Sequence, residues 1–132
     1  MIGKNNCLNI RSTNKTYWKG QTGATRGFCD FESYEFCLRA GAYLIMKSYR
    51  RAKCYTVQAI IRRWAPPNEN NTEAYIKFVC AVNGWHRLHR IDTLDDVARL
   101  LSAMQIMEVG KCYMKPEKIE EIIRRFRLTF IV

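Results

Sequence analysis

Trp64-Ala65-Pro66-Pro67-Asn68-Glu69-Asn70-Asn71-Thr72-Glu73-Ala74-Tyr75 is the stretch where one helix must stop and the next begin, and it holds two of the chain's three prolines. A proline lacks the N–H that a helix interior needs, and it pushes the residue before it out of helical space. The helix running into Trp64 therefore ends there. Asn71 or Thr72 can cap its successor by accepting a hydrogen bond from an orphan amide. The expected product is a rigid elbow that presents Trp64, Glu69 and several amides on its rim. An aromatic ring, a carboxylate and amides suit the binding of sugar rings, and the same set describes an ordinary capped loop.

Outward from this elbow the helical period dominates. Phe36, Leu38, Ala40, Tyr43, Leu44 and Met46 predict a long, largely buried helix over about residues 33–51, with Ser33 as its cap. Val57, Ile60 and Ile61 give a short helix ending at Trp64, and Tyr75, Ile76, Val79 and Val82 mark the inner face of the next. Thr93-Leu94-Asp95-Asp96 reads as a capping box opening a fourth helix with Val97, Leu100, Leu101 and Met104 inside. Pro116 suits the first position of a fifth, whose apolar face is Ile119, Ile122, Ile123 and Phe126. The apolar tail Leu128-Thr129-Phe130-Ile131-Val132 should pack on the core. Residues 1–30 differ: they hold four of the seven glycines and show no helical period. There Leu8-Asn9-Ile10-Arg11 alternates like a strand, and Tyr17-Trp18-Lys19-Gly20 could pair back on it as an irregular hairpin. The reading is a mainly α fold of about five helices, a single domain over 1–132, with a small β or irregular front lobe (1–31) and a helical body (32–132).

A chain of 132 residues, 48% apolar and 26% charged, can bury a core without staples and is not of the disordered class. Charges interrupt every apolar run, so no membrane span is expected. The start Met1-Ile2-Gly3-Lys4-Asn5-Asn6 lacks a signal-peptide core, so the expectation is synthesis in the cytoplasm, with any exit by another route. The net charge of +10 favours anionic partners such as nucleic acid, lipid headgroups or acidic wall polymer, or serves solubility alone. Six cysteines without a C-x-x-C pair exclude zinc-finger and thioredoxin readings. Reduced thiols are expected, with Cys37, Cys54 and Cys80 as small core residues. His86 and His89 lack further ligands at a metal spacing, and neither metal nor cofactor is expected. Arg50-Arg51, Arg62-Arg63 and Arg124-Arg125 could track phosphates or simply face solvent, and no nucleic-acid fold signature accompanies them.

Asn5-Asn6-Cys7-Leu8-Asn9-Ile10-Arg11, then Trp18-x-Gly20, Phe28-x-x-Phe31 and a long helix, resembles the front half of the lysozyme-like superfamily of glucosaminidases and muramidases. Asn71-Thr72-x-Ala74-Tyr75-x-x-x-Val79 is similar to the segment that closes lytic transglycosylase domains. Over most of its length the chain resembles short phage and prophage proteins of Bacteroides-like genomes labelled virion structural proteins. The resemblance implies an α+β lysozyme-like fold directed at peptidoglycan, either a muramidase or a lytic transglycosylase, acting in the virion or periplasm. The alternative it implies is a non-catalytic virion, assembly or wall-binding protein with a degenerate site, and a basic nucleic-acid-binding module is a third reading from charge.

One departure bears on catalysis. The superfamily's acid ends a helix before the Asn-Asn turn, and only Met1 to Lys4 precede that turn here. Glu32 and Glu35 open a helix, where acids meet the dipole favourably. Glu69 is the first choice for general acid, with Glu73 and Glu32 as alternates. Asn6, Asn9, Trp18, Trp64, Asn71 and Tyr75 would line the groove.

Overall fold

The computed structural model describes residues 1–131; the placement expected for Val132 in the tail lies outside them. A two-stranded antiparallel sheet, β1 (Gln21–Thr25) and β2 (Phe28–Phe31), forms the front lobe. Its turn residues Arg26 and Gly27 both have positive φ, 48° and 84°, as a two-residue hairpin turn requires. This corrects the expected pairing of residues 8–11 with 17–20. The 8–11 segment instead lies along β2, where the Cys29 amide donates to the Ile10 carbonyl at 2.9 Å and Arg11 bridges to Phe28. The Asn5 and Asn9 backbones are left-handed, which bends that segment into turns rather than a strand.

Five helices follow. α1 covers residues 34–51: α-helical over Tyr34–Tyr43, a π turn over Leu44–Ser48, and α-helical again over Tyr49–Arg51. Ser33 stands at its cap position without a side-chain cap bond. α2 (Val57–Trp64) is capped by Thr56, whose hydroxyl accepts from the Ala59 amide. α3 (Thr72–Asn83) is capped by the Asn71 side chain, and the Thr72 hydroxyl donates back to the Ala65 carbonyl at 2.5 Å, which ties the elbow shut. α4 (Leu94–Val109) opens with the full Thr93/Asp96 capping box, and α5 (Pro116–Arg125) has its proline at the first position. Among the described residues no helix is long and apolar enough to cross a membrane.

Leu38, Ile45, Met46, Ile61, Ile76, Leu100, Leu101, Met104 and Ile122 meet in one core, and Leu8 and Phe31 bring the front lobe into it. Val82, expected inside, is exposed on the last turn of α3. Cys7 and Cys37 are buried free thiols with their sulfurs 3.9 Å apart, while Cys54 and Cys80 are only partly covered. The tail packs as expected: Leu128 is buried, and the Ile131 amide donates to the Met46 carbonyl at 3.1 Å.

Gly41 sets the closeness of the packing. A Cβ there would stand 2.5 Å from Leu8 Cδ1 and 3.1 Å from Leu101 Cδ2. Only glycine lets α1 nest between the front lobe and α4.

Candidate functional site

The asparagine turn does two different jobs. Asn6 is fully buried; its amide donates to the Ile10 and Cys29 carbonyls at 2.9 Å each, and its carbonyl accepts from the Ile10 amide at 2.9 Å. It is spent on holding the lobe to β2. Asn9 turns the other way, toward the end of α4. Its amide donates to the Glu108 backbone carbonyl at 3.0 Å and lies 3.4 Å from the Glu108 carboxylate. Its side-chain oxygen is shielded from solvent and has no partner among the described residues. A buried acceptor without a donor is costly, and a ligand N–H or O–H is one way to satisfy it.

Glu108 is the next-to-last residue of α4. Its Oε2 accepts from Trp64 Nε1 at 3.1 Å and from the Tyr75 hydroxyl at 2.8 Å. Burial pushes its carboxyl above the ordinary glutamate range, against the opposing pull of hydrogen bonds from Tyr75, Trp64 and Asn9 and the charge of Arg11. Burial also holds the Tyr75 phenol well above its usual value, reinforced by the neighbouring Glu108 charge, so Tyr75 stays a donor. A carboxyl that keeps its proton closer to neutrality, in a cleft, is the electrostatic profile of a proton donor.

That cleft has a volume of about 460 Å³. Glu108 lies at its base, Asn9, Arg11, Trp18 and Phe28 come from the front lobe, and Tyr49, Trp64, Glu69 and Asn70 come from the helical side. The size and the mixture of aromatic and polar walls suit a small-molecule or single-sugar-ring occupant. Leu44 and Tyr49, at the start of the π turn and just after its end, both line it, and such turns recur at functional sites. Trp18 packs edge-on against Tyr43, and Tyr49 edge-on against Trp64, which fixes the aromatic walls. Burial pushes the Tyr49 phenol up to about 12, so it too remains a donor.

The structure brings together four of the six residues expected in a groove, with Trp18 and Asn9 on one side and Trp64 and Tyr75 around Glu108. The other two are placed elsewhere. Asn6 is consumed by backbone hydrogen bonds, and Asn71 caps α3 by accepting from the Ala74 amide. Glu69 lines the cleft mouth, exposed on the elbow. Glu73 faces outward, paired with Arg87 at 2.7 Å and Arg62 at 3.7 Å, and the Arg87 hydrogen bond holds its carboxyl below the ordinary range. Glu32 is exposed and outside the cleft lining. His89 is spent on Asp96 at 2.9 Å and stacks on Trp85.

Glu108 was not among the residues the sequence singled out. Two signals mark it: it is the only acid between Asp96 and Glu117, and it sits in the last turn of a helix, where the dipole disfavours a negative charge.

These features define a mainly α-helical protein with a small β-hairpin lobe and a cleft lined by one half-buried carboxyl, that of Glu108. No protein-family model matches the chain. It is 32% identical over 133 residues to Protein P5 of Pseudoalteromonas phage PM2, an alignment spanning 98% of this chain and 81% of that protein. The chain belongs to this family of phage proteins.

Proposed function

We propose that this is a phage-borne, peptidoglycan-directed protein that takes a glycan strand into the cleft and cleaves it, with Glu108 as the proton donor. The observation that carries the reading is the setting of Glu108: buried, raised in pKa, and held by Trp64, Tyr75 and Asn9 at the base of an aromatic-lined cleft. Cleavage of a glycosidic bond needs an acid at the bridging oxygen, and such an acid works best when its pKa is lifted toward the working pH. Trp18, Tyr49 and Trp64 would stack on sugar rings, and the unpartnered Asn9 oxygen would accept from a hydroxyl or an acetamido N–H. Glu69, on the rim, is the available second carboxylate, which a hydrolase would use and a lytic transglycosylase would not need.

A second reading is favoured by the phage relative: a virion structural or assembly protein that keeps the cleft for binding and makes no cut. Turbidity loss and muropeptide release from purified sacculi separate the two. Cleavage by the wild type that vanishes in Glu108→Gln and persists in Glu69→Gln establishes the first reading. Binding to sacculi without muropeptide release by the wild type favours the second.

A further inference from the structure

The arginine pairs of this basic chain are not equivalent once folded. Arg124 is paired with Glu120, Arg125 with Glu35, and Arg62 approaches Glu73, while Arg63 lies over the Tyr49 ring. Each of these cations is thereby neutralised or occupied. The exception is the corner where α1 ends. There Arg50, Arg51, Lys53 and Arg90 converge on one concavity of about 560 Å³, together with Tyr55 and Ile131, and among the described residues no acid lines it.

Two of the four cations are held in place. Arg50 donates to the Ile91 carbonyl at 2.8 Å and to Asp92 at 2.8 Å, and its guanidinium lies over the Phe130 and Tyr55 rings. Arg90 donates to the same Asp92 through Nε at 2.8 Å, and it too lies over Tyr55. One carboxylate therefore serves two arginines, and each guanidinium keeps N–H groups unspent. Arg51 and Lys53 are exposed, and among the described residues neither meets a carboxylate. Lys53 is set by a left-handed backbone, φ 61°, at the turn that leaves α1.

We infer that this concavity is a binding site for a phosphate group, carried by a small free molecule or by a lipid headgroup. Four cations and one shared acid leave a strong local positive charge, and fixed guanidinium forks beside mobile cationic arms match the geometry of phosphate oxygens. A nucleic-acid strand is a poorer fit. Its backbone wants cations in a stripe and open aromatic faces for bases, whereas these cations meet at one point and Tyr55 is occupied by two guanidiniums. The inference does not depend on what the Glu108 cleft does.

The test measures binding at 0.15 M salt of inorganic pyrophosphate by calorimetry and of phosphatidic-acid vesicles by flotation, with phosphatidylcholine vesicles as reference. Arg51→Glu/Lys53→Glu is compared with Lys15→Glu/Arg26→Glu, which changes charge equally at exposed positions of the front lobe. Arg51→Gln/Lys53→Asn, with asparagine suited to the left-handed position, guards against misfolding. Binding at least tenfold weaker in both Arg51/Lys53 variants, and within twofold of wild type in the front-lobe variant, is the expected result. Pyrophosphate binding identifies a free phosphate ligand, and binding to phosphatidic-acid vesicles alone identifies a headgroup. Equal loss in the Arg51/Lys53 and front-lobe variants, binding of neither probe, or binding only to duplex DNA would overturn the inference.

Discussion

The two sides of the cleft are built by opposite means. The elbow, Pro66–Asn71, is made by local rules: prolines stop one helix, Asn71 caps the next, and the Thr72 hydroxyl locks the ends together. Its carboxylate, Glu69, faces solvent at the mouth. The base is made by distant parts: Glu108 from the end of α4, Trp64 from the end of α2, Tyr75 from α3 and Asn9 from the front lobe. A carboxylate gains unusual acid–base character where water is excluded and neighbours are fixed, and Glu108 has that setting.

The largest test of that contrast is catalytic. If the protein cleaves glycan, Glu108→Gln should lower the rate by at least about 100-fold, because general acid catalysis contributes roughly 10²–10⁴. Glutamine can still accept from Trp64 and Tyr75, so the fold should survive, as circular dichroism would check. The contrast between the two asparagines comes next. Asn6→Ala removes the buried acceptor of the Ile10 amide and a donor to the Cys29 and Ile10 carbonyls, of which the Ile10 carbonyl keeps the Cys29 amide, and should destabilise by about 3 kcal/mol in urea unfolding, as buried unsatisfied groups do. Asn9→Ala removes an already half-unpartnered side chain and should lower stability by only about 1 kcal/mol while weakening sacculus binding.

The pH dependence of stability is a smaller effect. The folded protein holds the Glu108 proton more tightly than the unfolded chain does, since its pKa lies above the ordinary 4.5. That contribution is complete below 4.5 and is lost as pH rises through the raised folded value. Wild type should therefore weaken relative to Glu108→Gln across that window, seen as diverging Tm values. A gap that stays flat with pH would mean that the Glu108 carboxyl is solvated. For a lytic transglycosylase, Glu69→Gln should change the rate less than about threefold, the smallest effect expected; a loss as large as that of Glu108→Gln would mark Glu69 as the second carboxylate of a hydrolase.

Local chemistry made most of the fold legible. The prolines at 66 and 67, the Thr93 capping box and Pro116 set helix ends that the structure reproduces closely, because caps and breakers act within a few residues. The front hairpin was legible only as a non-helical lobe. Its true turn, Arg26-Gly27, lacks the usual asparagine or aspartate before glycine, while Asn5 and Asn9 look like strand-flanking residues but take left-handed turns. At the site, Asn9 and Trp18 were readable from the front-lobe motif, and Trp64 and Tyr75 from the helix ends at the elbow. Glu108 was not, because its character comes from burial by residues far away in sequence, and charge alone does not reveal burial.

The contact between Asn9 and Glu108 joins positions 99 apart in a chain of 132. Nearly the whole polypeptide must leave the ribosome before the acid meets its partners. A partial product that ends before α4 closes would carry the elbow and its exposed Glu69 without the Glu108 side of the cleft.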